Sequence, residues 1–397
     1  MECIENHGIV VVGGGICGLA TALALHRKGI KSLVLERSDT LRASGAAIIM
    51  LPTGWIALNH LQVADALRKT AIPINKSYRV YENGKREQLP QGDGEVRCLK
   101  RQDLVEVLSK HLPQGTVRYN SRVASLEIKK SFSIIHLDDG HVIRAKVVIG
   151  CDGVHSVVSK EVGLSPMKVT NTSVVRGFTE YPKGHSFSPD LLIHTYGHGQ
   201  LGHIPITQNS VYWFITRLSH PDDMGIVGDA KMVHKLALDF LKDREEELIE
   251  LVEKTDLNML RIATNLIIRS PFDLLRNKFR KNAVTVSGDA LHAMGPFLAQ
   301  GGSLSLEDAV VLARCIAPCV NIGDNNPAEE KSVELALDRF FRLRQFRAFW
   351  IMLHTFLMGI IGGTIPNKFV KYVSLVLLAV LFGRDPSSHS RYDCGPL

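Results

Sequence analysis

The 397-residue chain has few of the features that mark secreted, metal-binding or nucleic-acid-binding proteins. Its seven cysteines are an odd number without the spacing of a disulfide framework, which favours a reducing compartment. Cys315 and Cys319 stand four residues apart, but no second pair completes a metal site. The net charge of +7 is modest, and Lys and Arg do not alternate with aromatic residues as along a nucleic-acid groove. We therefore expect buried thiols, no metal and no nucleic-acid partner.

The sequence pattern also lacks an N-terminal targeting segment. Only seven residues, MECIENH, precede the first predicted strand, which is too few for a signal or transit peptide. We expect a cytoplasmic protein, in which any membrane contact comes from elsewhere in the chain.

Long hydrophobic runs are confined to the last 50 residues. Ala348–Ile365 holds 18 residues without a formal charge, and in Phe369–Phe382 only Lys371 is charged. A spanning helix needs about 18 residues at the least. Burial against the protein body is our first expectation, a helical anchor lying on a membrane surface the second, and a span the third. The second would give peripheral membrane contact. The basic residues flanking the runs are Arg342, Arg344, Arg347, Lys368 and Arg384.

A glycine-rich unit near the start of the chain is the strongest positive signal. After a short apolar strand, Gly13, Gly15 and Gly18 follow G-x-G-x-x-G spacing, and an Ala/Leu-rich helix comes next. These glycines suit a tight turn, close approach to a pyrophosphate, and close packing of helix on strand. The helix N-terminus favours phosphate, and Glu36, at the end of the second strand, can accept hydrogen bonds from a ribose. The unit predicts an ADP-containing dinucleotide; a glycine-rich turn in an ordinary β-α-β unit is the alternative. The cofactor-binding residues predicted here are Gly13, Gly15, Ile16, Cys17, Gly18, Glu36 and Arg37.

A second apolar strand leads into the sequence GCDGVHS, with Asp152 and Gly153 directly after it. That position is the carboxyl edge of a strand, where open α/β sheets bind ligands. A plain Asp-Gly turn is the alternative.

A third apolar strand opens the sequence GDALHAMGPFLAQGG, which begins at Gly288. Ser303 could cap the helix behind it, and Glu307 and Asp308 would then lie early in that helix, where the helix dipole favours acids.

The sequence GHGQLG at Gly197–Gly202 repeats the G-x-G-x-x-G spacing without its context. A strand follows it, so there is no helix N-terminus to hold a phosphate, and we predict a hairpin. It lies within an antiparallel sheet predicted from runs without intervening helices, which are Val174–Thr179, Leu191–Tyr196, Leu201–Pro205 and Val211–Thr216.

Together GGGICG, CDGVHS and GDALHAMGPFLAQGG resemble, in order, the three fingerprints of the class A flavin-dependent aromatic hydroxylases, the para-hydroxybenzoate hydroxylase fold. The third motif and the closing YDCG resemble plant monooxygenases related to zeaxanthin epoxidase and salicylate hydroxylase. The resemblance runs from about Gly8 to the C-terminus. It implies an α/β fold with a Rossmann-like FAD-binding domain, an interleaved antiparallel-sheet substrate domain and a C-terminal helical segment. The expected parts are residues 1–75, 99–165 and 276–321 for the FAD domain, 76–98 and 166–275 for the substrate domain, and 322–397 for the helical region.

The resemblance also implies roles for residues at matching positions. It implies that Glu36 binds the adenosine ribose, that Val123 meets the adenine edge, and that Arg101 binds the FAD pyrophosphate or ribityl region. Asp152 and Gly153 would lie near both flavin and NADPH, and Asp289 would accept from the ribityl hydroxyls. Pro296 would flank the isoalloxazine, and Gly301 and Gly302 would face its N1/O2 edge.

Three places depart from the family pattern. Ser159 stands where the Asp-Gly motif usually ends in arginine, and Lys160 beside it could take over the NADPH contact. Ala299 replaces the usual glycine before Gln300. Ser305-Leu306 replace smaller residues in the first turn of the following helix.

The implied activity is that of a monooxygenase with non-covalent FAD and NADPH or NADH as co-substrate. The reduced flavin adds O2 at its C4a atom, and the hydroperoxyflavin transfers one oxygen atom to an electron-rich aromatic or alkene small molecule. A flavin oxidase or dehydrogenase, or a non-catalytic chaperone-like protein, are the alternatives on the same fold. The substrate would lie between flavin and antiparallel sheet, and we expect His292 to brace its loop. Candidate catalytic residues are Pro296, Arg176, His203 and Tyr212, with His194 and Phe214 as further substrate contacts.

Overall fold

The computed structural model describes residues 4–41, 46–90, 93–320, 327–364, 367–383 and 387–397. The strands of the first half of the chain are β1 (Glu5–Val12), β2 (Leu33–Leu35), β3 (Ala47–Met50), β4 (Ile72–Pro73), β5 (Ser77–Tyr81), β6 (Arg86–Gln88), β7 (Arg97–Lys100), β8 (Val117–Arg118), β9 (Val123–Ile128), β10 (Ser133–Leu137) and β11 (Val142–Gly150). The strands of the second half are β12 (Lys168–Val169), β13 (Thr172–Glu180), β14 (Leu191–Tyr196), β15 (Gly199–Thr207), β16 (Ser210–Leu218), β17 (Arg261–Ala263), β18 (Ile267–Ile268), β19 (Arg280–Lys281) and β20 (Val284–Val286). The α-helices are α1 (Ile16–Arg27), α2 (Pro52–His60), α3 (Ala64–Arg68), α4 (Arg101–Lys110), α5 (Val157–Val162), α6 (Ala230–Phe240), α7 (Glu246–Glu253), α8 (Asp273–Arg276), α9 (Asp289–His292), α10 (Gly301–Val320), α11 (Pro327–Gly359) and α12 (Lys368–Phe382).

A mainly parallel sheet brings the three glycine motifs to one edge. Its order is β19-β20-β11-β1-β2-β8, and the β9-β10 hairpin extends it antiparallel to β11. The apolar residues of β1 are almost fully buried because α1, packed against α10, covers the sheet. At the carboxyl ends, the backbone N–H groups of Gly13, Cys151 and Ser287 donate to the carbonyls of Leu35, Val12 and Gly150. The three motifs are therefore hydrogen-bonded to adjacent strand ends.

A second sheet of order β17-β13-β16-β15-β14-β5-β6 is antiparallel except for the parallel pair β14/β5. One face packs on α6 and α7 through residues such as Leu201 and Trp213. The other face packs on the small sheet β3-β7-β4, through residues such as Ile204 and Tyr212. The hairpin β5–β6 joins this sheet from a distant part of the chain, so the expected α/β fold with an interleaved antiparallel sheet and helical C-terminal segment is confirmed.

The start of α10 differs from the expected capping by Ser303. The helix begins at Gly301, which places Ser303 inside its first turn. There its buried Oγ donates to Met50 Sδ at 3.5 Å. The capping prediction is wrong because the helix begins three residues earlier than a cap at Ser303 would require.

The two C-terminal apolar runs have different environments. The first forms the end of α11, where Ala348, Ile351 and Met352 are almost fully buried, so the expectation of burial is correct for it. The second forms α12, where Phe369 is 73% and Val380 72% exposed, so the same expectation is wrong there. Among the described residues, no helix is long and apolar enough to cross a membrane. Arg384 lies outside the described residues.

The backbone at Ala299 yields a stability prediction. Ala299 has φ +52°, the left-handed conformation that costs an L-residue with a Cβ about 1–2 kcal/mol. We expect Ala299→Gly to raise the free energy of unfolding by up to ~1 kcal/mol, since the greater freedom of glycine in the unfolded chain offsets part of the gain. Urea unfolding at equal FAD content measures it. Ala313→Gly, inside α10, should instead destabilise by ~1 kcal/mol or more; a similar loss at both positions would contradict the prediction.

Candidate cofactor and substrate site

The turn before α1 is shaped by close backbone contacts. Gly13 has φ +104°, and a Cβ there would lie 2.5 Å from the carbonyl oxygen of Cys151. A Cβ on Gly18 would collide with the carbonyl oxygen of Gly13. At Gly15, by contrast, a Cβ would meet no atom within 4 Å. The N-terminus of α1 therefore has open space in front of it, where a phosphate can approach the backbone.

Glu36 is held against this turn by two backbone groups. Its Oε2 accepts from the N–H of Gly14 at 2.7 Å, and its Oε1 accepts from the N–H of Ser38 at 2.8 Å. Each carboxylate oxygen keeps a lone pair for another donor. The fixed, half-buried carboxylate is thus available beside the open space.

Asp152 has a structural role at the start of α5. Its Oδ1 accepts from Ser156 Oγ at 2.5 Å, and its Oδ2 accepts from the N–H groups of Val157 and Val158 at 2.8 and 3.3 Å. Burial raises the pKa of Asp152, against the opposing effect of these donors. This geometry matches the plain Asp-Gly turn, so any nucleotide contact of the side chain would have to share its oxygens with the helix.

Ser159 is buried and paired with an arginine that the sequence analysis missed. Its Oγ accepts from Arg269 Nη2 at 2.8 Å, and the same guanidinium donates to the carbonyls of Ser165 and Ala290 at 2.7 and 3.0 Å. Arg269 is only 2% exposed. The lone arginine in the apolar sequence LIIR was the available signal. Lys160 is exposed on the surface of α5.

Arg101, Asp289 and Arg176 converge from three different elements. The Arg101 guanidinium is largely buried, and among the described residues its Nε has no hydrogen-bond partner. Burial lowers the pKa of Arg101, the negative charge of Asp289 opposes that shift, and the positive charge of Arg176 adds to it. Arg176 Nε is likewise buried and lacks a partner in the described part of the chain. A buried, incompletely paired guanidinium is costly without an anion, which fits a cofactor phosphate at Arg101 and leaves Arg176 available to a second anionic group.

Of the five candidate residues on the antiparallel sheet, three share one of its faces. Arg176 is in register with Phe214, and Phe178 with Tyr212, so these four side chains point the same way. The Tyr212 ring centroid lies 5.1 Å from that of Phe178 and 6.1 Å from that of Phe214. Burial raises the pKa of Tyr212 to about 12. Lys100, which sequence reasoning missed although it directly precedes Arg101, has its Nζ 5.9 Å from the Phe178 ring centroid.

His194 and His203 lie on the opposite face. His194 pairs with Leu201 and His203 with Trp213, residues of the core beneath α6 and α7. Their rings stack at a centroid distance of 5.4 Å, and burial lowers the pKa of His203 to about 3. Side chains alternate between the two faces of a strand, and both histidines point to the face opposite Arg176. The expectation that they line the same space as Arg176 is therefore wrong.

The third motif places its glycines at a helix start. Pro296 is exposed in a short 3-10 turn, and Gly301 begins α10 with open space at its Cβ position. A Cβ on Gly302 would lie 3.5 Å from Ile48 Cγ2. The remaining predicted cofactor residues are Ile16 (half-buried), Cys17 (buried, with Sγ 3.2 Å from Ser287 Oγ), Arg37 (exposed), Gly153 (half-buried, φ +76°) and Val123 (buried at the start of β9). Their cofactor roles stay predictions.

Asp308 connects this motif to the C-terminal helices. Its Oδ2 is 2.8 Å from His292 Nε2 and accepts from Ser287 Oγ and the N–H of Gly288, while its Oδ1 accepts from Arg344 Nε at 2.7 Å. Burial raises the pKa of Asp308, but the charge of Arg344 and the hydrogen bonds with Arg344 and His292 outweigh it and hold that pKa below its usual value. His292 therefore braces its loop, as expected.

Glu307 completes the buried charge network. It accepts from Arg344 Nη2 at 2.8 Å and from Arg347 Nη2 at 2.9 Å, and the Tyr392 ring lies against both guanidiniums. Glu307 and Asp308 are both fully buried. The helix dipole alone therefore does not explain their position, and their pairing with arginines is the missing part. Arg344 and Arg347 likewise pair inside the protein instead of flanking a membrane segment. Two arginines three residues apart, matched to adjacent acids, were the signal.

Comparison with known proteins agrees with this geometry. The FAD binding domain family matches residues 7–326. Monooxygenase 1 of Arabidopsis thaliana is 44% identical over 401 residues, covering 99% of this chain and 100% of its own. The chain belongs to the FAD-dependent monooxygenases. Monooxygenase 2 of the same plant is 34% identical over 410 residues, and the match covers 100% of both chains.

Solved structures share the fold of this monooxygenase. HpxO of Klebsiella pneumoniae, in complex with FAD and uric acid, matches with a TM-score of 0.79 and 19% identity, over 98% of this chain and 96% of its own. The 2,6-dihydroxypyridine-3-hydroxylase of Arthrobacter nicotinovorans matches with a TM-score of 0.74 and 18% identity, over 93% and 96%. These structures show the fold, and together with the family match and the curated relatives they confirm the resemblance to the class A flavin hydroxylases.

Gly15 and Gly18 allow a paired test of the cofactor loop. Gly15→Val should give a folded protein that purifies without FAD, because the side chain enters open space that the pyrophosphate would need. Gly18→Val should instead prevent folding, since its Cβ collides with the backbone of Gly13. Circular dichroism and flavin absorbance separate the two outcomes. A Gly15→Val protein that keeps full FAD content would contradict the assignment of this loop.

The buried network predicts a large and pH-dependent effect of Arg344→Met. Removing Arg344 leaves two buried carboxylates underpaired, so the free energy of unfolding should fall by about 3–5 kcal/mol at neutral pH. The lowered pKa of Asp308 means that its contribution is present above its unfolded-state pKa of about 4 and is lost as the pH falls through the folded value. The difference from wild type should therefore shrink in acid.

Urea unfolding at neutral and acidic pH measures this difference. Arg347→Met is the matched control and should cost less, because Glu307 keeps Arg344 as its partner. Equal losses in the two variants, or a pH-independent loss for Arg344→Met, would contradict the network's role.

Proposed function

We propose that the protein uses NADPH or NADH and O2 to insert one oxygen atom into an electron-rich aromatic or alkene small molecule. The observation that carries the proposal is the convergence of two incompletely paired guanidiniums, Arg101 and Arg176, with the carboxylate of Asp289. When FAD is bound, the cofactor supplies hydride acceptance and oxygen activation. The polypeptide binds, orients and excludes water.

The cofactor would be held by residues along the edge of the parallel sheet that carries the three glycine motifs. The N-terminus of α1 at Gly15 and the guanidinium of Arg101 suit the pyrophosphate, and Glu36 suits the ribose. Asp289 is exposed and close enough to Arg101 to affect its pKa, which suits a carboxylate accepting from ribityl hydroxyls. The open N-terminus of α10 at Gly301 would stabilise negative charge on a reduced ring.

The substrate would lie against Arg176, Phe178, Tyr212 and Phe214. The raised pKa of Tyr212 keeps its O–H protonated across the physiological range, so it can donate a hydrogen bond to a substrate oxygen. Arg176 favours a substrate that carries an anionic group, and the two phenylalanines favour a flat apolar body. This set supports an aromatic compound with a phenolate or carboxylate as the first class to test.

Packing of the C-terminal region supports water exclusion at this place. The π-helical turn Ile360–Thr364 contacts β15 and β16, and α11 contacts the turn Pro296–Leu298. Thr355 Oγ1 donates to the carbonyl of Gly295 at 3.1 Å. The turn expected at the flavin is thereby fixed against a helix, which would limit entry of water from that side.

The activity is tested with purified FAD-bound protein, NADPH and a set of phenolic and carboxylated aromatic compounds. A productive substrate should stimulate NADPH oxidation and yield a product containing one oxygen atom from isotopically labelled O2. Oxidation of a compound without incorporation of label would favour the oxidase or dehydrogenase alternative. NADPH consumption that depends on no compound and gives only hydrogen peroxide would contradict the proposal for that substrate class.

Arg176→Met tests the substrate contact separately from FAD binding. Loss of a charge-assisted hydrogen bond is worth about 1.5–3 kcal/mol, so kcat/KM for an anionic substrate should fall by about 10- to 100-fold. FAD content should stay unchanged. Arg261→Met on the neighbouring strand is the matched control, because Arg261 is exposed and donates to the backbone carbonyls of Asn258 and Leu260. Equal kinetics for the two variants would exclude Arg176 from the substrate site.

A further inference from the structure

Helix α12 has an apolar surface that the rest of the described protein leaves uncovered. Its inward stripe, at i, i+3 and i+4 spacing, consists of Lys371, Ser374, Leu378 and Phe382. The remaining circumference is almost entirely apolar, and a helix that is apolar all round is normally buried in a core or in lipid. The large apolar side chains exposed by at least 38% are Phe369, Tyr372, Val373, Leu375, Val376, Leu377, Val380 and Leu381.

The apolar surface continues onto α11. The Trp350 ring lies 5.9 Å from that of Phe382, and Trp350 is 44% exposed. Phe346, one turn earlier, is 61% exposed. The surface made by α12 together with Phe346 and Trp350, which we name the α12 surface, therefore spans two packed helices. A contiguous apolar area of this kind marks an interaction site.

The length of α12 limits how it could meet lipid. It has 15 residues, and among the described residues no helix is long and apolar enough to cross a membrane. A short helix with apolar and aromatic side chains outward suits the interfacial plane of one leaflet. Tyr372 and Trp350 carry the amphipathic rings that are favoured at the headgroup level.

Charge distinguishes a lipid surface from a second copy of the chain. The first turn of α12 contains no acidic residue. Arg339 and Arg342 are exposed on the α11 stripe that also carries Phe346 and Trp350. Two copies joined through this surface would bring these cations together, whereas anionic headgroups would neutralise them.

We propose that the α12 surface docks the protein onto an anionic lipid bilayer, with α12 lying in the plane of one leaflet. The contact is peripheral, so the protein should associate reversibly and less strongly at high salt. Because the turn Ile360–Thr364 joins α11 to this region and contacts β15 and β16, docking would place the bilayer next to the sheet that carries Arg176.

The test is co-sedimentation of the full-length FAD-bound protein with vesicles of phosphatidylcholine, with or without phosphatidylserine. Wild type should bind the phosphatidylserine vesicles, and added salt should release it. Val380→Glu should weaken binding by about tenfold or more, because burial of one such side chain is worth a factor of that order. Val169→Glu is the matched control: Val169 is 67% exposed on β12, and its substitution should leave binding unchanged.

Flavin absorbance shows that each variant is folded, and sedimentation velocity without vesicles reports self-association. Absence of wild-type binding to both vesicle types would overturn the proposal. So would equal binding by Val380→Glu and Val169→Glu. A wild-type dimer that Val380→Glu converts to monomer, without vesicle binding, would assign the α12 surface to a second copy instead.

Discussion

The structure depends on one buried carboxylate, Asp308, which has hydrogen-bond partners in the third motif and in α11. Ser287, Gly288 and His292 fix the turn from which Asp289 projects, and Arg344 ties that turn to the long C-terminal helix. The same helix packs against the turn containing Pro296. A charge pair of this kind gains little net stability over an apolar core, but it is costly to break. Its effect is to hold residues distant in sequence in one arrangement.

The second constraint is the alternation of side chains across the antiparallel sheet. One face meets the small sheet β3-β7-β4 and presents Arg176 and Tyr212, while the other is filled by α6 and α7. A histidine on the second face is buried in a core, however suitable its chemistry is for catalysis. In the proposed function this alternation decides which side chains can meet a substrate, and they are those of Arg176, Phe178, Tyr212 and Phe214.

The sequence was sufficient for the fold class and the cofactor loop because their signals are local. Gly13 and Gly18 make backbone contacts that only glycine allows, and Gly15 leaves open space in front of the helix N-terminus. The sequence was insufficient for His194 and His203. Their strands are apolar on both faces, so the pattern does not show which face packs on α6 and α7 and which on the small sheet. Residues that pair across long separations were missed for a related reason: Arg269 with Ser159, and Arg344 with Asp308, are visible only in three dimensions. The apolar character of α12 was evident, but its exposure depends on what the other elements leave uncovered.

The central claim is that the motifs at Gly13–Gly18 and Gly301–Gly302 hold the same FAD molecule, with the Arg176 face of the antiparallel sheet beside it. Hydrogen–deuterium exchange of the FAD-free and FAD-bound protein tests this directly. The account predicts that FAD protects the amides of both motifs and of Arg101, while those of α12, on the outer surface, are unaffected. Protection at the Gly13–Gly18 turn alone, with no change at Gly301–Gly302, would contradict it.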